Sequence, residues 1–352
     1  MEKEKPKKGE EEIKYSYENC WKYIIRPPRD DYDLSELELD YFKLKEQIPY
    51  IREDYTVLSK RNYLMQCSFY RIDPSKRIPY IRPCVIYLHG NSSSRMEGKK
   101  MALYLLNKGI DLFVFDFPGS GKSEGEYISL GYHEKEDVRL IVDFVEKLPG
   151  VGNIGIWGRS MGAATALLYS YSDERIKAQC VDSPFAEFRE LSITLCKKEI
   201  NLPEFIINSV LFFLKKTIKK KNGMDIDQIR PIDYAEISKT PTFFIHAMKD
   251  ELIPYTHTIR IYEKYAGNKS INIVEGSHNT HRQKHLINKI ISFFEKYLKE
   301  KKDKNNGKEK DKDEEDNEFD EEHESDEEDE EDEEKEEKEV NKNNNISNKK
   351  DI

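Results

Sequence analysis

The chain has 352 residues, a formal net charge of −10, and a hydrophobic fraction of 37%. Its charge is uneven: residues 301–352 hold 25 acidic and 11 basic side chains, whereas residues 1–300 hold 43 acidic and 47 basic ones. The body is therefore only slightly basic, which gives no support to nucleic-acid binding, since that function requires a strongly basic surface.

Both termini are predicted to lie outside the folded domain, which we place at residues 40–300. Residues 301–352 combine long Glu/Asp runs with few apolar side chains, so we expect a disordered acidic tail that cannot offset its ordering entropy. Residues 1–39 are expected to form an N-terminal extension. No apolar segment opens the chain and its five cysteines are widely spaced, which favours reduced thiols in the cytoplasm.

Short apolar runs alternate with longer helical patterns between these termini. Early strands are predicted over 41–47 and 53–71, and buried strands over 83–88, 111–115, 153–157, 178–181, 241–245 and 270–274. Helices are predicted over 98–107, 132–148, 161–171, 256–265 and 280–298. This alternation is typical of parallel strands covered on both faces. We therefore predict an α/β fold with a mostly parallel central sheet, whose ligands bind at the carboxyl ends of the strands.

The region from about 187 to 232 interrupts this rhythm and is predicted to be a small helical cap insertion. It contains an apolar stretch at 205–214, followed by five lysines between 215 and 221. Two interpretations stay open. The apolar side chains either pack on the edge of the sheet, or Phe205, Leu211 and Phe212 form the wall of an acyl pocket. In the second case the lysines would face a membrane surface, giving peripheral membrane contact through the cap.

Gly158-Arg-Ser160-Met-Gly162 is the strongest motif in the chain. It follows a predicted strand and precedes a predicted helix, which is the setting in which a strained turn projects a serine hydroxyl above a sheet. The glycines allow the tight turn, and the start of the helix favours developing negative charge. Ser160 is therefore the candidate nucleophile.

A serine nucleophile needs a base, and the base needs an orienting acid. In this strand–turn–helix setting the chain order is serine, acid, histidine. Asp250 follows the predicted strand at 241–245 and His278 follows the one at 270–274, so both lie at the same sheet edge as Ser160. Asp182 also ends a strand there and is the alternative acid, although the Ser183-Pro184 that follows it suggests a turn-forming role.

The oxyanion hole is predicted from two backbone N–H groups. One belongs to Met161, directly after the nucleophile, and the other to Asn91, in the loop after the strand at 83–88. His281 and His285 lie near His278 in sequence, but the group lacks the embedded glutamate of a hydrolytic zinc motif, so no metal site is predicted.

Five segments together resemble the α/β-hydrolase superfamily: His89-Gly-Asn, Asp116 to Gly125, Gly158 to Gly162, Asp250 to Pro254, and Gly276-Ser-His-Asn279. They are most similar to the serine-aminopeptidase-like branch, which holds monoacylglycerol lipases, esterases and acyl-protein thioesterases. The resemblance covers about residues 40–300. It implies no cofactor. Ala247 departs from the glycine that often follows the histidine in this family.

These observations predict a serine hydrolase that cleaves carboxylic esters of a small-molecule or acylated substrate through an acyl-enzyme. An acyl-protein thioesterase or a serine aminopeptidase would use the same residues, and the fold does not choose among them. The non-enzymatic alternative is an interaction protein built on a hydrolase scaffold. The sequence does not determine the oligomeric state.

Overall fold

The computed structural model describes residues 21–22, 24–39, 49–73, 75, 81–200 and 204–299. They all belong to one compact unit, residues 1–301. The predicted strand at 41–47 and the predicted acidic tail lie outside the described residues, as does the first part of the N-terminal extension. None of the described helices combines the length and the apolarity that crossing a membrane requires.

Eight strands form one sheet in the order β1-β2-β4-β3-β5-β6-β7-β8. The strands are β1 (Tyr50–Leu58), β2 (Leu64–Ile72), β3 (Arg82–Leu88), β4 (Asp111–Phe115), β5 (Val151–Arg159), β6 (Ile176–Asp182), β7 (Thr242–Ala247) and β8 (Lys269–Val274). Pairing is antiparallel from β1 to β2 and from β2 to β4, and parallel at every other step. The predicted mostly parallel sheet is confirmed.

The helices are α1 (Arg95–Lys99), α2 (Ala102–Leu106), α3 (Glu134–Val145), α4 (Met161–Ser170), α5 (Phe188–Ile200), α6 (Glu204–Asn222), α7 (Thr256–Lys264) and α8 (Lys284–Leu298). Their buried side chains divide between two apolar clusters. One contains side chains of α3, α4 and α6, and the other contains those of α2 and α8. Helices therefore cover both faces of the sheet, which explains why the central strands are apolar on both sides.

The predicted strand at 53–71 is two strands joined by a tight turn. Asn62 adopts a positive φ of 60° in this turn, a conformation that its short polar side chain tolerates. The Ser59 hydroxyl accepts the N–H of Tyr63 at 3.0 Å. The polar run Ser59-Lys-Arg-Asn62 marks this turn in the sequence, and the prediction of a single strand missed it.

The predicted helix at 98–107 is two short helices, and the first begins earlier, at Arg95. Ser94 caps it, because its hydroxyl accepts the N–H of Met96 at 3.2 Å. A serine that precedes a helix in this way is a common capping signal, which the periodicity of the apolar residues did not reveal.

Two helices, α5 and α6, occupy the predicted insertion between β6 and β7. On α6, Leu211 and Ile218 are buried in the main apolar cluster. Phe212 is 55% exposed and therefore lines no enclosed cavity. Packing of the other apolar face is thus observed, and the interpretation that Phe212 forms the wall of an acyl pocket stays a prediction. The side chain of Phe205 lies outside the described part of the structure.

This arrangement predicts unequal effects of two substitutions on α6. Ile218→Ala removes fully buried methyl groups and should lower the free energy of unfolding by about 2–5 kcal/mol. Phe212→Ala removes a solvent-facing ring and should change it by less than about 0.5 kcal/mol. Urea denaturation of both variants provides the measurement. Equal losses would show that Phe212 is packed and not exposed.

Candidate active site

Ser160 lies at the sharp turn between β5 and α4. Its backbone has φ 52° and ψ −115°, a strained conformation for a residue with a side chain. The turn is held in place because the Ser160 N–H donates to the Asp182 carbonyl at 2.8 Å, and the Ser160 carbonyl accepts the N–H of Ala164 at 3.0 Å. The strain directs the hydroxyl to the carboxyl edge of the sheet.

The two glycines of the motif allow a close backbone approach. A Cβ on Gly162 would lie 2.0 Å from the carbonyl oxygen of Leu88 at the end of β3, and one on Gly158 would lie 2.4 Å from the carbonyl oxygen of Gly162. Any side chain at either position would force the turn away from the sheet. The glycines are therefore required by packing.

His278 and Asp250 meet Ser160 at this edge. His278 Nε2 lies 3.1 Å from Ser160 Oγ, and His278 Nδ1 lies 2.6 Å from Asp250 Oδ2. The side chain of His278 is 7% exposed and that of Asp250 is fully buried. The structure thus brings together the three residues that the sequence analysis selected, in a serine–histidine–aspartate arrangement.

The Asp250 carboxylate has further hydrogen-bond donors besides His278. Its Oδ1 accepts the N–H groups of Leu252 at 2.9 Å and Ile253 at 2.7 Å, and its Oδ2 lies 3.2 Å from His246 Nε2. Burial alone raises the pKa of this carboxyl, but hydrogen bonds from His246 and His278 outweigh burial and hold the pKa well below its usual range. Asp250 is therefore ionised at neutral pH.

Asp182, the alternative acid, faces a different partner. Its two carboxylate oxygens each lie 2.8 Å from a nitrogen of the Arg282 guanidinium. Burial raises the pKa of Asp182, but the charge and hydrogen bonds of Arg282 outweigh it, so the pKa is lowered. The carbonyl of Asp182 holds Ser160, while its side chain is committed to Arg282.

The loop after β3 runs beside the nucleophile. A Cβ on Gly90 would lie 3.7 Å from Ser160 Cβ, and Asn91 follows it in an exposed position. His89 shapes this loop, because its Nδ1 lies 2.8 Å from the Gly90 carbonyl and its Nε2 accepts the N–H of Phe117 at 3.1 Å. Within the described part of the chain, the N–H groups of Asn91 and Met161 donate no hydrogen bond.

Among the residues that the structure describes, no group of three or more His, Cys, Asp or Glu side chains is arranged to hold a metal ion. The side chains of His281 and His285 are exposed.

Comparisons with known proteins identify similar chains. A family model described as serine aminopeptidase, S33, matches residues 80–229. The uncharacterized protein YqkD of Bacillus subtilis is 28% identical over 250 residues, which cover 69% of this chain and 81% of that protein. The lysophosphatidylserine lipase ABHD12 of Danio rerio is 28% identical over 200 residues. The match covers 54% of this chain and about half, 49%, of that lipase.

Among solved structures, the Pyrococcus furiosus esterase Pf2001 has a TM-score of 0.60 at 22% sequence identity, over 78% of this chain and 98% of that one. The chain has the α/β-hydrolase fold.

Three side chains near the site of this α/β hydrolase were missed or misjudged from its sequence. His246 contacts Asp250, and its position at the end of β7, four residues before Asp250, could have indicated this. Glu97 and Arg159 form an ion pair beside Ser160. Arg159 is the variable second residue of the serine motif, and Glu97 lies on α1, so no local pattern linked them.

Proposed function

We propose that this α/β hydrolase cleaves carboxylic esters through an acyl-enzyme formed on Ser160. The observation that carries this proposal is the continuous chain of polar contacts from Ser160 Oγ to His278 Nε2 at 3.1 Å, and from His278 Nδ1 to Asp250 Oδ2 at 2.6 Å. A serine hydroxyl becomes an effective nucleophile when a neighbouring base can accept its proton in this way.

In the proposed reaction, Ser160 Oγ attacks the ester carbonyl carbon while His278 Nε2 accepts the hydroxyl proton. The ionised Asp250 accepts a hydrogen bond from the Nδ1–H group of His278. This bond fixes the ring tautomer and stabilises the imidazolium. His278 then gives the proton to the leaving alkoxide oxygen, and the acyl group stays on Ser160. Water, deprotonated by the same histidine, hydrolyses the acyl-enzyme and restores the serine.

The developing oxyanion needs preorganised donors. We assign this role to the backbone N–H groups of Met161 and Asn91. Met161 is the first residue of α4, where the N–H points out of the helix start, and Asn91 lies in the loop beside Ser160.

Esters are favoured as the substrate class by the relatives and not by the geometry. One relative is named as a lysophosphatidylserine lipase and another as a putative esterase, and the solved Pf2001 structure is that of an esterase. An acyl-protein thioesterase and a serine aminopeptidase remain the enzymatic alternatives, because the attacking group and the base would be the same. An interaction protein without turnover is the alternative outside catalysis.

We also propose that the hydrolase acts in the cytoplasm. Cys67, Cys84 and Cys180 are buried free thiols, which are typical of proteins from reducing compartments.

Replacing the nucleophile tests the proposal directly. Ser160→Ala should lower turnover of a simple aryl ester by several orders of magnitude, because triad residues act as a unit, and should abolish labelling by a fluorophosphonate probe. Ser172→Ala, at the other end of α4, is the control and should leave both unchanged. A panel that presents one acyl group as ester, thioester and amide then ranks the substrate classes. Near-normal turnover by a folded Ser160→Ala enzyme would exclude the mechanism.

The two aspartates give a second, sharper comparison. Asp250→Asn should reduce turnover about ten-thousandfold by favouring the wrong histidine tautomer, while the fold is retained. Asp182→Asn leaves the Arg282 charge poorly paired and should cost about 3 kcal/mol of stability with a much smaller loss of turnover. Steady-state kinetics and urea denaturation of both variants separate the roles. A well-folded but inactive Asp182→Asn enzyme would identify Asp182 as the acid.

A further inference from the structure

One buried ion pair contacts all three loops that carry the proposed machinery. Arg159 Nη1 lies 2.5 Å from Glu97 Oε1. The other oxygen of Glu97 accepts the N–H of Gly90 at 2.7 Å, and the other terminal nitrogen of Arg159 donates to the His278 carbonyl at 2.7 Å. The pair therefore connects the loop of Asn91, the turn of Ser160 and the loop of His278.

The pair is shielded from water, which strengthens its electrostatic interaction. The side chains of Arg159 and Glu97 are 24% and 10% exposed. Arg159 also lies 3.3 Å from the Asn279 side-chain oxygen. Its planar guanidinium contacts Glu97 and the histidine loop through two nitrogens in fixed relative positions, which a flexible ammonium group cannot provide.

Both oxygens of Glu97 are needed because each accepts from a different donor. Glutamine at this position has one acceptor oxygen, and its NH₂ group would face either Arg159 or the N–H of Gly90, donor against donor. The geometry thus requires a carboxylate and not merely a polar side chain of that size.

We propose that Glu97 and Arg159 are positioning residues that set the oxyanion loop and His278 relative to Ser160. This inference rests on the proposed function, because it assigns those loops their catalytic roles. Small displacements of catalytic groups have large effects on rate, so the pair contributes to turnover through placement and does not touch the reacting atoms.

The test compares kinetics and stability of four variants. Glu97→Gln and Arg159→Met should each lower kcat about 10- to 100-fold with KM within about twofold. The double variant should be no slower than the slower single variant, since both remove the same link. Arg159→Lys, which keeps the charge, should have an intermediate kcat.

Arg61→Met is the control, and its kcat should stay unchanged. The Arg61–Asp137 pair is similarly buried, at 20% and 2% exposure, but it joins the β1–β2 turn to α3.

The outcomes separate this inference from the function on which it rests. If the wild type has no ester turnover and Ser160 is not labelled, the proposed function fails. If the wild type is active and a folded Glu97→Gln enzyme keeps its kcat, or the two single losses multiply in the double variant, the positioning role is overturned.

A second, independent observation concerns α6, which has two opposite apolar faces. At 100° per residue, Ile207, Leu211, Leu214 and Ile218 lie on one side, and all four are buried. On the other side lie Phe212 and Phe213, 55% and 57% exposed, with their rings 5.6 Å apart. Adjacent exposed aromatic rings indicate a binding surface more strongly than scattered apolar residues do.

Lysines surround this aromatic pair. Lys216, Lys219 and Lys220 lie on the same side of α6 and are exposed, and Lys216 Nζ lies 4.4 Å from the centre of the Phe212 ring. Asp225 and Asp227 both pair with Lys215, at 2.8 Å and 2.5 Å. Lys219 lies further from Asp225, at 3.7 Å. Exposed rings next to lysines are the combination by which amphipathic helices bind anionic lipid surfaces.

We infer that this face of α6 docks on an anionic phospholipid surface, with the two phenylalanines inserted among the lipids and the lysines at the head groups. This goes beyond the proposed reaction, since it concerns where the protein binds and not what it cleaves. A second copy of the chain fits less well, because the same basic face on both copies would repel.

Vesicle sedimentation of the Ser160→Ala protein tests the inference without any turnover. Vesicles of phosphatidylcholine with phosphatidylserine should bind the protein at least tenfold more tightly than vesicles of phosphatidylcholine alone. Binding should fall at least tenfold in a Phe212→Ser/Phe213→Ser variant and in a Lys216→Gln/Lys220→Gln variant. Ile81→Ser, which alters a 63% exposed side chain before β3, is the matched control and should bind normally.

Equal binding to both vesicle types, no binding to either, or normal binding by the two double variants would overturn the inference. So would a dimer in solution that the phenylalanine variant converts to a monomer, since the face would then be a contact between copies.

Discussion

Ser160 is held between β5 and α4 with φ 52°, a backbone conformation that a residue with a Cβ adopts only when its surroundings enforce it. Enforcement comes from neighbouring strands: β6 supplies the Asp182 carbonyl, and the last residue of β3 packs directly against Gly162. The site therefore depends on the register of three parallel strands. A shift in any of them would move the hydroxyl away from His278.

The same edge of the sheet collects charged groups that water would normally solvate. Asp250, Asp182 and Glu97 are each buried or nearly so, and each carboxylate has hydrogen-bond donors from the protein. Buried charges are costly unless they are paired in this way. Because the partners come from different loops, each pair also restricts where those loops lie. The electrostatics of the site and its geometry are thus consequences of one set of contacts.

The cap combines two functions of one helix that are usually separate. The inner face of α6 completes the apolar cluster on one side of the sheet, while the outer face presents aromatic and basic side chains to the surroundings. A helix that is apolar on one face needs only that face for stability. The inner face is therefore sufficient for packing, and the outer face is the one that we propose to dock on a lipid surface.

The sequence by itself determined the fold class, the order of the main strands and helices, and the identity of Ser160, Asp250 and His278 as candidates. These follow from local rules: periodicity of apolar residues, a glycine–serine motif between strand and helix, and polar residues directly after strands. Boundaries were less accurate where a short polar turn divides two strands, as at Asn62, or where a cap shifts a helix start, as at Ser94.

Only the tertiary structure shows that the Asp250 carboxylate lies near His278, whereas the Asp182 carboxylate lies near Arg282, 100 residues further along the chain. It also decided that Phe212 faces outwards, since helical periodicity does not say which of two apolar sides is buried. The Glu97–Arg159 pair joins residues 62 positions apart on separate elements. Such contacts arise from the packing of the strands, and no local pattern of residues encodes them.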